Sequence, residues 1–363
     1  MKKQIVALAL AAWMVLGLSG CGKQAEPEPV PTPPAPVETP EPAPAPPPPP
    51  EPEEPAGTNP LTGEPMEPEK ETLRPIAVMF NNLKGAQPQV GISQADMIYE
   101  VEAEGGITRM LGLFQSLDGV DTLGSIRSTR AYYLELALGH DALLVHAGGS
   151  PEAYRDIPVW KVDNMDGVNG GSDAKIFWRD KERRKTMGYE HTLVTSGEKI
   201  QAYVDGHFRA AHPEGYAHPL VFAADGTPKD GVAAEHLTLR FSPYKTGTFD
   251  YDAEKKAYLA GQYGKEHIDG GNGEQVSAVN VLVLETDISQ IAGDKALRMK
   301  ARLTGSGKGT FFCGGKAAEI QWSKADRNSP FLYAMPDGSP LTLGEGITYI
   351  CIIDPDRSTL TIA

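Results

Sequence analysis

The sequence predicts an α+β protein, a mixed α/β N-terminal domain followed by a β-rich C-terminal domain. Three observations carry this. Between about residues 74 and 216, apolar strand-like runs alternate with helix starts. From about Leu220 onward the pattern changes to short alternating runs separated by Gly and Asp-Gly turns. Ahead of both lies a Pro/Glu-rich stretch that has too little apolar sequence to form a core. The expected boundaries are 1–20 for a signal peptide, 21–58 for a stalk, 59–216 for the first domain and 217–363 for the second.

Met1 to Cys21 reads as a lipoprotein signal. Lys2 and Lys3 form a charged start, Ile5 to Leu18 an apolar run too short for a comfortable membrane span, and Leu18-Ser19-Gly20-Cys21 a lipoprotein cleavage site. The mature chain is therefore expected to begin at Cys21, acylated and held to the bilayer at ~0.8 kcal/mol per buried CH₂. That places it on the outer face of the cytoplasmic membrane. Residues 24–69 hold ten Glu and no Lys or Arg, with frequent Pro. A polyproline-like stalk of roughly 35 residues at ~3.1 Å each reaches about 110 Å from the membrane. Much of the formal charge of −14 sits in this stretch. The remainder is only mildly acidic, which argues against a nucleic-acid partner.

In the first domain, Arg74–Phe80 (RPIAVMF) reads as a buried strand ending at Asn81-Asn82. Met97–Glu104 alternates, with Glu100, Glu102 and Glu104 on one side. Taking Gly105-Gly106 as a two-residue hairpin turn and Ile107–Ser116 as the return strand sets Glu102 opposite Arg109 and Glu100 opposite Leu111. A cross-strand ion pair is the plainer reading. The sharper one has Glu100 and Glu102 lining a cleft, Arg109 keeping one ionised, and the pair doing acid/base work. Ser128 or Thr129 can cap a helix from Arg130 to Leu138, putting Arg127 and Arg130 at a helix start suited to an anion. Ala142–His146 is a second buried strand. It leads through Gly148 and Gly149 to Ser150 as N-cap and Pro151 at N1, a generic anion cradle. Val159–Gly188 is a polar loop with Trp160, Phe177 and Trp178, either a lid packed by its aromatics or a sugar-stacking surface. A helix follows from Gly197 to Ala210.

In the second domain, strands are expected at 236–242, 247–251, 257–259, 278–284, 296–303, 310–313, 318–322, 331–335 and 348–353. Gly305-Ser306-Gly307-Lys308-Gly309-Thr310 fails the phosphate-loop spacing and is expected to be a hairpin turn. His267 and Asp269 fit a hydrogen-bonded pair better than a metal site. Cys313 and Cys351 both lie in apolar runs; free buried thiols and a disulfide are both open. No motif assigns a cofactor or a metal.

Several runs resemble the YerB-type two-domain lipoproteins of Gram-positive bacteria. They are NPLTG (59–63), RPIAVMFNN (74–82), ADMIYEVEAEGGITR (95–109), GSIRSTRAYYLELA (124–137), HAGGSPEAY (146–154), YDAEKKAYL (251–259) and SAVNVLVL (277–284), together with His267-x-Asp269. The resemblance covers about residue 58 to the end and implies the tether and the two-domain layout, with no reaction attached. The family's Pro-His-Asn-like motif is Glu190-His191-Thr192 here, so His191 is kept while its neighbours differ.

Two function classes remain. One is a binding lipoprotein whose N-terminal domain grips an anionic or sugar-containing envelope ligand, or a partner protein, through Arg109, Arg127, Arg130, Gly148, Gly149, Ser150 and His191. The other is an envelope hydrolase or transferase using Glu100, Glu102 and His146, with Arg127 and Arg130 as stabilisers. Carboxylates converging on an open pocket would favour the enzyme; carboxylates closed off by arginines would favour binding.

Overall fold

The computed structural model describes residues 57–363. The chain divides into Met1–Pro52 and Glu53–Ala363, and the described residues belong to the second unit. The signal peptide, Cys21 and most of the stalk lie outside them. The described residues begin within the Pro/Glu-rich stretch. Gly57–Thr58 pairs with Pro65–Met66, and the Asn59 side chain donates to Asp96 at 2.8 Å, fastening the NPLTG turn to the sheet.

The principal strands and helices are β1 (Ile76–Asn81), β2 (Met97–Glu102), β3 (Thr108–Phe114), α1 (Ala131–Gly139), β4 (Leu143–His146), α2 (Pro151–Trp160), β5 (Asn164–Asp166) and α3 (Gly197–His207). The second half contributes β6 (His236–Arg240), β7 (Thr246–Asp252), β8 (Ala257–Gln262), β9 (Asn280–Glu285), β10 (Gly305–Cys313), β11 (Lys316–Lys324), β12 (Thr348–Ile353) and β13 (Thr359–Ile362). The mixed first half and strand-rich second half match the predicted class.

One sheet runs through both halves in the order β11-β10-β9-β12-β2-β3-β1-β4-β5, and two short strands bring it to eleven. The join is a parallel pairing of β2 with β12, in which Tyr99 lies beside Ile350. This seam crosses the expected boundary at residue 217. Sequence pattern shows that both strands are buried, but it does not show that they are neighbours. All six residues of β1 are buried, as expected for a strand paired on both sides and covered on both faces.

The two faces of the sheet bury different sets of side chains. Val78, Phe80, Ile98, Met110 and Tyr349 pack with α3 and with Leu237, Phe249 and Tyr258 of the second sheet. Ala77, Met79, Tyr99, Leu111 and Ile350 pack beneath α1 and α2. The sheet is therefore a middle layer. Ser150 caps α2 as expected, its hydroxyl accepting from the Ala153 N–H at 3.2 Å, with Pro151 at N1. α1 departs from expectation: Arg130 is its N-cap residue and neither Ser128 nor Thr129 caps it.

The 305–310 segment is a strand, not a turn. It forms the first part of β10, because Gly307 and Gly309 admit close neighbours. A Cβ on Gly307 would lie 2.5 Å from the Trp322 indole nitrogen, and one on Gly309 would lie 2.8 Å from the Val283 carbonyl. Cys313 and Cys351 are buried free thiols on opposite faces of the sheet. His267 and Asp269 do not pair. His267 meets Gln89 at 2.7 Å, and Asp269 accepts from the Gly91 and Ser93 backbone N–H groups, both at 2.9 Å.

Candidate functional site

The hairpin register decides how the charges are distributed. Glu104–Gly106 forms a single tight turn with Gly105 at φ +64° and Gly106 at φ +80°, closed by the Ala103 N–H donating to the Ile107 carbonyl at 2.7 Å. The loop is one residue longer than the expected Gly-Gly turn. Glu102 therefore faces Thr108, Glu100 faces Met110, and Arg109 faces Val101. A shift of one residue moves a side chain to the other face. Arg109 thus leaves the side of Glu100 and Glu102, and the expected pairing with them does not form.

Glu100 is sealed inside the protein. It accepts from Asn82 at 2.9 Å, from Tyr349 at 2.6 Å and from the Thr108 hydroxyl, and it lies 3.1 Å from the Lys245 ammonium. Lys245 is itself buried, bonded to Gln262 and set over the Tyr263 ring at 5.0 Å. Glu102 is closed by Arg357 at 2.7 Å. Burial raises its carboxyl, and Arg357 opposes the rise. Neither carboxylate lines an open cleft.

On the other face, Glu104 accepts from Arg130 in a fork, with Nε at 3.0 Å and Nη2 at 2.6 Å, and also from Arg109 Nη2. Burial works to raise the Glu104 carboxyl, yet Arg109 and Arg130 hold it down to about 2. Burial and the neighbouring Arg130 push the Arg109 guanidinium down to about 10, so it remains cationic at neutral pH. Arg109 Nη1 donates to the Ser128 carbonyl at 2.6 Å, and its Nε has no acceptor among the described residues.

Arg127 lies at the end of this group on a fixed backbone. Its N–H donates to the Met79 carbonyl at 2.9 Å, and its carbonyl accepts from Ala147 at 3.0 Å. Among the described residues its guanidinium has no hydrogen-bond acceptor and no carboxylate within salt-bridge distance, and its buried Nε is orphaned. Burial lowers its pKa, and Glu104 and Glu190 act against that.

Gly148, at φ +81°, forms the expected cradle, but the anion in it is internal. Asp166 Oδ1 accepts from the Gly148 N–H at 2.8 Å and from Val168 N–H at 2.9 Å, and Oδ2 accepts from the Tyr154 hydroxyl at 2.7 Å. Burial works to raise the Asp166 carboxyl, and His146 and these donors bring it below the usual carboxylate range. Gly149 bridges Thr129, and the Ser150 N–H donates to the Thr129 carbonyl at 3.2 Å. His146 is fully buried with both ring nitrogens engaged, one with the Gly148 carbonyl at 2.9 Å and one with Asn164 Oδ1 at 3.0 Å. It is not placed to take a proton from a substrate. His191 meets the Asn81 amide at 2.9 Å, and burial lowers its pKa.

These groups gather outside the carboxyl ends of parallel strands β1, β4 and β5, the usual ligand position in such sheets. The aromatics of the 159–188 loop and of the adjoining Tyr189 divide between core and surface. Ile176 and Phe177 pack into the core, while Trp178 and Tyr189 remain exposed. The Arg179 and Arg184 guanidiniums lie 4.1 and 4.5 Å from the centre of the Tyr189 ring.

Sequence reasoning missed Glu104 as the partner of the arginines, Lys245 and Arg357 as closers of Glu100 and Glu102, and Asp166 as the cradle anion. Asp166 had a signal, an Asp-Gly at a strand end. Lys245 and Arg357 had none, being distant in sequence.

The chain belongs to the DUF3048 family. Residues 61–210 match the N-terminal domain and residues 237–350 the C-terminal domain of that family of proteins of unknown function. Among individual proteins, the chain is 31% identical over 316 residues to the YerB protein of Bacillus subtilis (strain 168), provisionally named a lipoprotein, covering 84% of this chain and 88% of the relative. The crystal structure of Bacillus subtilis YerB superposes with a TM-score of 0.72 at 28% identity, covering 84% of this chain and 99% of that one.

Proposed function

We propose that this protein is a lipid-anchored, extracytoplasmic binding lipoprotein whose N-terminal half holds an anionic group of a cell-envelope ligand, with Arg127 as the primary contact. The anchor is Cys21, and the Pro/Glu-rich stretch after it carries the binding unit away from the membrane. The observation that carries the reading is the Arg127 guanidinium on a fixed backbone, unpartnered among the described residues, when neighbouring Arg109 and Arg130 are both paired. A planar guanidinium with free donors suits phosphate or carboxylate oxygens. Arg179 and Arg184, both set over the exposed Tyr189 ring, add further positive charge nearby.

The closed carboxylates weigh against hydrolysis, because an acid/base pair must reach the substrate proton. Peptidoglycan digests added to the mature chain in detergent test the choice. The expected result is a rise in melting temperature that is lost in Arg127→Ala, with no new masses in the digest. New masses that vanish in Glu102→Gln would contradict the proposal.

A further inference from the structure

Glu104 sits among more positive charge than it can neutralise. Arg109, Arg127 and Arg130 act on one another through space, and among the described residues Glu104 is the one carboxylate within salt-bridge distance of any of them. Its two oxygens take donors from Arg109 Nη2 and from Arg130 Nε and Nη2. They leave the Nε of Arg109 and the whole Arg127 guanidinium without an acceptor among the described residues. Arg109 is 2% exposed, so water does not make up the deficit. A carboxylate has one charge and two acceptor atoms; the cluster calls for more of both. A phosphate monoester supplies them, with up to two charges and three unesterified oxygens arranged tetrahedrally, so that one group can meet several guanidiniums.

Access is available. Arg130 also lines a cleft of about 340 Å³ with Ser150, Glu152, Arg298 and Lys300, between the starts of α1 and α2 and the 291–301 segment. The carboxylate that occupies the cluster is carried on a turn whose Gly105 has no atom within 4 Å of a would-be Cβ. The Glu104 side chain, 24% exposed, has its own path to solvent while Gly106 stays fastened, its carbonyl accepting from the Ser242 hydroxyl.

We infer that Glu104 is the tethered occupant of a phosphoryl-group site, and that a phosphate ester replaces it on Arg109 and Arg130 with Arg127 as the third ligand. This rests on the anion-binding reading above and adds to it the ligand class and an internal competitor. In the exchange one negative charge leaves with the Glu104 carboxylate and up to two enter with the phosphoryl group, which reduces the surplus positive charge of the cluster; no covalent bond changes.

The test is isothermal titration of the mature full-length chain in detergent with inorganic phosphate and with glycerol 1-phosphate, at constant ionic strength, with acetate as the comparison anion. Removing a competitor that holds the site closed tightens apparent affinity by the reciprocal of the open fraction, about tenfold for a site open a tenth of the time. Glu104→Gln is expected to bind both phosphates about tenfold more tightly than wild type, and acetate with a smaller gain. Should Glu104→Gln fail to give a native melting transition, Glu104→Asp, which keeps the charge on a shorter arm, must bind phosphate more tightly than wild type. Equal affinities in wild type and the Glu104 variant, both lost in Arg127→Ala, would overturn the competitor role and leave the anion-binding reading intact. Absence of phosphate binding in a folded Glu104 variant would overturn the phosphoryl assignment, whereas the anion-binding reading would then stand or fall on the digest experiment.

Discussion

The two faces of the β2–β3 hairpin carry similar residues in opposite situations. On one face Glu100 and Glu102 are closed by groups from the second half of the chain, Lys245, Tyr349 and Arg357. On the other, Glu104 is held by arginines of the first half, and Arg127 beside them has no partner among the described residues. The first face satisfies its charges internally and joins the two halves. The second retains surplus donors. Carboxylate content alone does not mark a site; unmet valence does.

The largest effect should come from breaking the first face. Lys245→Met leaves Glu100 buried without its cation and is expected to cost about 3–5 kcal/mol in urea denaturation at neutral pH. A loss well below 1 kcal/mol would mean that Tyr349, Asn82 and Thr108 suffice to hold the carboxylate. Next comes the turn that sets the register. Gly106→Ala adds a Cβ at φ +80° and 2.9 Å from the Tyr244 ring, for an expected loss of about 1–3 kcal/mol in the same assay.

That register also marks how far the sequence can be read. The apolar runs of β1, β2, β3 and β4, the Ser150-Pro151 helix start and the strand-rich second half were legible because periodicity and capping are local signals. The Glu104–Gly106 turn was legible as a turn but not in its length, and that single residue moved Arg109 to the other face. The Lys245 and Arg357 partners were not legible, since contacts at sequence separations above a hundred residues leave no spacing to count. The pairing of β2 with β12 was hidden for the same reason.

The second face is sharpened by acid. Glu104 has its pKa lowered in the folded state, so its contribution to stability is present above the ordinary 4.5 and is lost as pH falls toward about 2. The stability difference between wild type and Glu104→Gln should shrink across that window in denaturation curves taken at successive pH values. A pH-independent difference would separate Glu104 from its arginines. The smallest effect is expected at Arg357→Ala. Its guanidinium is 41% exposed, so releasing Glu102 to solvent should cost about 1 kcal/mol or less.

The contrast between the faces is tested most directly by isothermal titration of the mature chain with anionic and neutral cell-wall glycan fragments, comparing wild type, Arg127→Ala and Glu102→Gln. The account predicts that anionic fragments bind wild type and Glu102→Gln alike, that Arg127→Ala weakens them at least about tenfold, roughly 1.4 kcal/mol, and that neutral fragments bind more weakly throughout. Binding that survives in Arg127→Ala and fails in Glu102→Gln would place the ligand on the opposite face and contradict it.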